Sequence, residues 1–134
     1  FDDDVQTDIH ARVKRIAEGI AAGAGATVNV TINRGYPVTS NDPQLTARML
    51  PTLERVAPGM VKESELITGA EDFTYYQRQA PWLCVFLGIT PPAQAGKAPA
   101  NHSPLFFVDE KALPTGVRAL AHLAVDYMTG PAVK

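Results

Sequence analysis

The period of the apolar residues changes early in the chain from that of a helix to that of a strand, and this change constrains the fold most. Apolar residues first recur every three or four positions, which predicts an amphipathic helix over residues 3–22. Gly23 and Gly25 are stop signals, and strict alternation then predicts a half-buried strand over residues 27–33. The helix residues are Val5, Ile9, Val13, Ile16 and Ile20, and the strand residues are Val28, Val30 and Ile32.

The remainder of the chain alternates in the same way between helical and extended patterns. The predicted elements are a helix from Asn41 or Asp42 to about residue 57, a weak strand at residues 66–67, a short helix ending near Gln79, a strand over residues 82–87 and a helix from Asp109 to about Met128. The strand at 82–87 is apolar throughout, which indicates cover on both faces. This order predicts an α/β fold, with an α+β arrangement in the first part.

The apolar stripes of the later helices predict the core. Pro114 lies in the first turn of the last helix, where it should distort the helix slightly, and Gly130-Pro131 should close that helix. The predicted core residues are Leu45, Met49, Leu53 and Val56 in the second helix, and Leu113, Val117, Leu120, Ala124 and Tyr127 in the last.

Composition excludes several classes of protein. The chain has 134 residues, with 14 acidic and 12 basic side chains, and this near-neutral balance argues against a nucleic-acid-binding protein. Its longest apolar run is too short to span a membrane, and its single cysteine, Cys84, excludes an internal disulfide; we expect that thiol to be buried. The first residue is Phe1 rather than methionine, and we therefore expect a fragment of a longer chain.

His102 is the most informative residue for chemistry. It lies in a proline-rich loop, residues 90–104, between the predicted buried strand and the last helix, and a loop of this length is often functional. Imidazole binds metals, acts as a base or merely bonds a backbone group. A single histidine is not a metal site, because such a site needs three or four protein ligands.

A second motif combines a glycine with adjacent carboxylates in Gly69-Ala70-Glu71-Asp72-Phe73. Carboxylates at the start of a helix often only cap exposed amides and complement the helix dipole. Alternatively, Gly69 lets the backbone approach a ligand closely, and an acidic side chain reaches into a polar site. The spacing alone leaves both interpretations open.

Several motifs in order resemble the C-terminal third of one enzyme family. That family comprises the di-metal amidohydrolases and carboxypeptidases that include hippurate hydrolase, the N-acyl-amino-acid hydrolases and the plant auxin-conjugate hydrolases. The resemblance covers nearly all 134 residues. The motifs that carry it lie at residues 68–73, 86–92, 101–104 and 107–110, and further matches lie at residues 12–17 and 36–42.

This resemblance implies the C-terminal portion of a two-domain, zinc-peptidase-like fold with an incomplete sheet. Residues 1–36 would form the last helix and strand of a lid domain that commonly mediates dimerisation. Residues 37–134 would belong to the catalytic α/β domain. By the same resemblance, His102 matches the last metal ligand, and Gly69, Glu71, Asp72 and Asn101 border the substrate pocket.

The resemblance also implies a reaction, the hydrolysis of an amide bond in N-acyl amino acids or small peptides. Two divalent ions, zinc or manganese, would activate water, and a glutamate absent from this chain would move its proton. The other metal ligands and the substrate-binding arginine of the family have no counterpart here either. We therefore expect the chain alone to be inactive, to hold metal weakly or not at all, and to contain no catalytic residue.

Two other interpretations remain at this point, and both concern assembly. The chain could be a non-catalytic α/β interaction or dimerisation module, or one half of a split enzyme. We expect a homo-oligomer, because a freed strand offers unpaired backbone, and no nucleic-acid or membrane partner. We also expect a cytoplasmic protein, or a periplasmic one if the complete protein carries an N-terminal leader.

Overall fold

The computed structural model describes residues 1–130, and its regular elements are all helices. The α-helices are α1 (Asp3–Gly23), α2 (Pro43–Val56), α3 (Thr74–Gln77) and α4 (Leu113–Thr129), and the 3-10 helices are Pro92–Gln94 and Glu110–Ala112. Within residues 1–130 no strand forms, so the predicted α/β class is wrong for this chain. Pro131, which was expected to follow the last helix, lies outside the described residues.

Residues 1–40 and 67–80 form one compact unit, and residues 41–66 and 81–130 form another. The predicted domain boundary between residues 36 and 37 stays a prediction. In the first unit Asp2 caps α1, because its carboxylate accepts hydrogen bonds from the amides of Asp4 and Val5 at 2.8 and 2.9 Å. The Gln77 carboxamide donates to Val38 O at 2.5 Å and accepts from Ser40 N at 3.1 Å, which ties α3 to the segment before residue 41.

The second unit is built on α2 and α4, which run antiparallel. Of the two predicted starts, Asp42 caps α2, since its Oδ1 accepts from Leu45 N at 2.7 Å. The core residues Leu45, Met49 and Val56 are buried, and they are three of the four predicted for this helix. Arg118 of α4 donates to Val56 O at 2.6 Å.

A polar cluster on Asp126 fastens the far end of α4 to α2. Thr52, itself buried, donates its hydroxyl proton to Asp126 Oδ2 at 2.5 Å, and Arg55 Nη2 lies 2.6 Å from the same oxygen. Arg48 donates to Tyr127 O at 2.6 Å and stacks over the Tyr127 ring at 4.7 Å. The hydrogen bond from Thr52 and then that from Arg55 lower the pKa of Asp126.

This lowered pKa predicts an acid-sensitive contact between α2 and α4. The Asp126 carboxylate stabilises the fold above its unfolded-state pKa of about 4, and this contribution is lost as the pH falls through the lower folded-state pKa. We expect Asp126→Asn to reduce stability at pH 7 and to flatten the loss of stability below about pH 4. Urea unfolding between pH 2 and pH 7 measures both effects.

A second variant tests the cause of that acid sensitivity. Thr52→Val keeps the shape of the side chain but removes the hydroxyl, so it should weaken the acid dependence while Arg55 preserves part of it. An Asp126→Asn protein with the wild-type acid profile would contradict the assignment.

The buried face of α4 differs from the prediction. Leu113, Val117, Leu120 and Tyr127 are each about half exposed or more. The face turned inward is half-buried and carries Leu123 together with four smaller or polar residues, namely Thr115, Gly116, Ala119 and Asp126. Small side chains allow another segment to approach: a Cβ at Gly116 would lie 2.8 Å from Leu87 Cδ2. The most apolar side of α4 is therefore the exposed one, and the sequence pattern did not single out the side that packs on α2.

The predicted strands fail for a common physical reason. A strand requires backbone hydrogen bonds to a neighbouring strand, whereas a helix satisfies its backbone locally. Residues 27–33 and 66–67 make no backbone hydrogen bond to another described segment. Within residues 82–87, Trp82 O accepts a hydrogen bond from Asp42 N. Cys84 is hydrogen-bonded through its amide and its carbonyl to the Asn41 side chain. Cys84 itself is only half-buried.

The apolar stripe of α1 is exposed, and Asp3–Gly23 contains no buried residue. Its members, from Val5 to Ile20, are each about half exposed or more. The helix itself was predicted correctly from those same residues. In the part of the chain that the structure describes, no helix is both long and apolar enough to cross a membrane.

Candidate functional site

His102 has the only left-handed backbone among the non-glycine residues described, with a φ of 71°. Histidine is one of the residue types enriched in this conformation, which costs most side chains free energy. The side chain is exposed. The imidazole therefore extends from a left-handed turn, a backbone conformation that most other non-glycine residues adopt less readily.

The loop that carries His102 is closed at its base and braced internally. Asp109 N donates to Ile89 O at 2.9 Å, which joins the two ends of the loop. Ser103 N donates to Ala100 O at 3.1 Å, and Phe106 N donates to Ser103 O at 3.0 Å. Asp109 also begins the next helix, since its Oδ1 accepts from Lys111 N at 3.1 Å.

The glycine–acid motif forms the entrance to α3, and Glu71 has a local structural role. Its carboxylate accepts from Phe73 N at 3.0 Å, and its backbone oxygen accepts from the buried Thr74 hydroxyl at 2.7 Å. Asp72 and Gly69 are exposed. A Cβ at Gly69 would meet nothing within 4 Å, so contacts within the described residues do not require a glycine there. The capping interpretation of Glu71 is supported by these contacts.

The predicted site residues fall in different units. Gly69, Glu71 and Asp72 belong to the unit of residues 1–40 and 67–80, whereas Asn101 and His102 belong to the other. Within residues 1–130 no group of three or more histidine, cysteine, aspartate or glutamate side chains could hold a metal ion. The described residues therefore do not by themselves form a complete metal centre.

Asn41 was not predicted from the sequence as a site residue. Its carboxamide makes the two backbone hydrogen bonds to Cys84 that a neighbouring strand would make. Its Nδ2 donates to Cys84 O at 2.9 Å, and its Oδ1 accepts from Cys84 N at 2.8 Å. This pair of bonds fixes the segment that leads into the His102 loop. No sequence pattern reports a bond across 43 positions, although the motif at residues 36–42 drew attention to this region.

Comparison with known proteins shows the class to which this region belongs. Over 128 residues the chain is 35% identical to "Thermostable carboxypeptidase 2" of Saccharolobus solfataricus, an alignment that covers 95% of this chain and 32% of the relative. Over 116 residues it is 32% identical to "N-acetyldiaminopimelate deacetylase" of Lacticaseibacillus paracasei, covering 85% of this chain and 29% of the relative. Both relatives are named as hydrolytic enzymes.

The family model described as "Peptidase family M20/M25/M40" matches residues 3–126. The chain belongs to this family, whose members are generally metal-dependent. The predicted resemblance to amidohydrolases and carboxypeptidases is confirmed. The chain spans about a third of the length of the relatives it matches, and no solved structure matched it.

Proposed function

We propose that this chain is a region of a metal-dependent amidohydrolase that cleaves the amide bond of N-acyl amino acids or small peptides. The observation that carries the proposal is the family match over residues 3–126. The names of the relatives agree with it, since a carboxypeptidase and a deacetylase both hydrolyse amide bonds. The match also favours a hydrolase over a non-catalytic interaction module.

Within this region, His102 is the proposed metal ligand. Its support is the family-like motif at residues 101–104, the braced loop and the exposed imidazole. Neutral imidazole suits zinc and manganese, and we propose one of these ions. When bound, the metal would supply Lewis-acid chemistry to the amide carbonyl or to water. We also place Asn101, next to His102 in sequence, at the border of the substrate pocket.

We place Gly69, Glu71 and Asp72 at the border of the substrate pocket. Exposed backbone at Gly69 and the exposed carboxylate of Asp72 are the groups free to face a substrate. Glu71 would act on the substrate only indirectly, by holding the turn through its bonds to Phe73 and Thr74. In the complete protein we propose a homo-oligomer, with neither nucleic acid nor membrane as a partner, in the cytoplasm or, with a leader, in the periplasm.

The chain by itself should not hydrolyse N-acyl amino acids, because one candidate ligand cannot assemble a metal centre. The test is an assay of the purified chain with N-acetyl and N-benzoyl amino acids in the presence of Zn²⁺ or Mn²⁺. We expect no product above the uncatalysed rate. Turnover that a chelator abolishes would contradict this part of the proposal.

Activity of the whole protein is tested in a chimera in which this chain replaces the matching 128 residues of "Thermostable carboxypeptidase 2". A folded chimera should hydrolyse amide substrates and should lose that activity on treatment with a chelator. A chimera that unfolds cooperatively but hydrolyses no N-acyl amino acid or peptide would overturn the proposed function.

A further inference from the structure

Asn41 binds both backbone groups of a residue that lies 43 positions further along the chain. Its Nδ2 donates to Cys84 O at 2.9 Å, and its Oδ1 accepts from Cys84 N at 2.8 Å. Because both ends of the carboxamide are engaged, the side chain fixes Cys84 in direction as well as in distance. Beside it, Asp42 N donates to Trp82 O at 3.0 Å. Two successive residues at the start of α2 thus hold the same segment.

The segment that Asn41 holds leads into the loop that carries His102. At the end of this segment Ile89 O accepts from Asp109 N at 2.9 Å, which closes the base of the loop. These contacts all lie in the unit of residues 41–66 and 81–130. A shift of Cys84 is therefore passed along one short segment to the point from which the loop departs.

Apolar packing alone would leave this segment free to shift. Leu87 lies against α4, where a Cβ at Gly116 would be 2.8 Å from Leu87 Cδ2. Such contacts are not directional, whereas a hydrogen bond weakens when its angle or its length changes. The directional contacts of the segment lie at Trp82, Cys84 and Ile89, and the Asn41 carboxamide makes two of them.

We propose that Asn41 is a positioning residue for His102, acting through the backbone from Cys84 to Ile89 on the base of the loop. His102 is here the metal ligand of the proposed function, on which this role of Asn41 rests. Hydrogen bonds inside the loop set the shape of the turn at His102, whereas the base of the loop sets where that turn lies relative to α2 and α4. A displaced ligand binds its metal less well, and replacing residues that orient metal ligands costs about 10- to 100-fold in affinity or activity.

Asn41→Asp tests the proposal with a side chain of the same size, first in the chain alone. At pH 7 the carboxylate still accepts from Cys84 N but cannot donate to Cys84 O, so one of the two bonds is lost. In the ¹⁵N-labelled chain the amide signals of His102 and Ser103 should shift. Asn33→Asp is the matched control, because it makes the same chemical change at an exposed position of the other unit, and it should leave those signals in place. Unchanged His102 and Ser103 signals in Asn41→Asp would overturn the proposal.

The chimera described above measures the consequence for the reaction. In folded Asn41→Asp chimera the dissociation constant for Zn²⁺, from competition with a chelator, should rise about 10- to 100-fold, and kcat should fall while KM stays nearly constant. A residue with a merely structural role would lower the folded fraction but leave the Zn²⁺ affinity and kcat of the folded molecules unchanged, and that result would refute the role of Asn41.

Two further outcomes are separated by design. If Asn41→Asp does not fold, Asn41→Gln, which keeps both polar groups on a longer side chain, is measured in its place with the same expected direction. If the unsubstituted chimera folds but hydrolyses no amide, the proposed function fails on that result alone. The His102 and Ser103 signals of the chain alone then decide whether Asn41 positions the loop.

Discussion

Replacing His102 with alanine in the chimera is expected to lower kcat/KM by more than about 100-fold, because loss of a metal ligand exceeds the 10- to 100-fold effects of its supporting residues. Bound metal should fall in parallel. Elemental analysis of the dialysed protein, together with amide hydrolysis assays, measures the two effects. The expected size of the change follows from the proposed role of His102 as a metal ligand, because a metal centre needs all three or four of its protein ligands.

Two controls separate ligand loss from damage to the loop. His102→Gly suits the φ of 71° better than alanine does, so it should keep the loop geometry while still losing metal and activity. His122→Ala removes an exposed imidazole from α4 and should leave metal content unchanged. A His102→Gly chimera with full metal content and normal turnover would exclude His102 as a ligand.

Replacing Met49 with alanine is expected to lower the free energy of unfolding by about 2–5 kcal/mol, the range for truncating a long aliphatic core side chain. Met49 is 4% exposed and lies in the small apolar core of the second unit with Leu45 and Val56. The removed atoms lose their burial and leave a cavity that the short helix pair closes only partly. Urea unfolding of the chain, followed by circular dichroism, measures the change.

The adjacent residue provides the matched control. Leu50 lies on the same helix but is 44% exposed, so Leu50→Ala should change stability far less than Met49→Ala, by roughly 0.5 kcal/mol or less as for most surface changes. Equal losses at the two positions would contradict the core assignment, because alanine is the better helix former at both positions and only the loss of buried contacts predicts a difference.

Local features of the fold were predictable from the sequence because their causes are local. The period of apolar residues located α1, α2 and α4 to within about two residues at most ends. The capping roles of Asp42 and Asp109 followed from side chains that bond amides two or three positions ahead. The motif at residues 101–104 drew attention to His102, but its left-handed backbone had no signal in the sequence.

What the sequence determined by itself is the helices, their caps and the family, since each depends on neighbouring residues or on an ordered set of motifs. Only the tertiary structure decided which face of α4 packs on α2, because the most apolar side of that helix is exposed. The side that packs carries Asp126, whose carboxylate accepts hydrogen bonds from Thr52 and Arg55. It also decided that residues 82–87 pair with the Asn41 side chain and not with a strand. Strand pairing depends on backbone distant in sequence, and within residues 1–130 no segment supplies it.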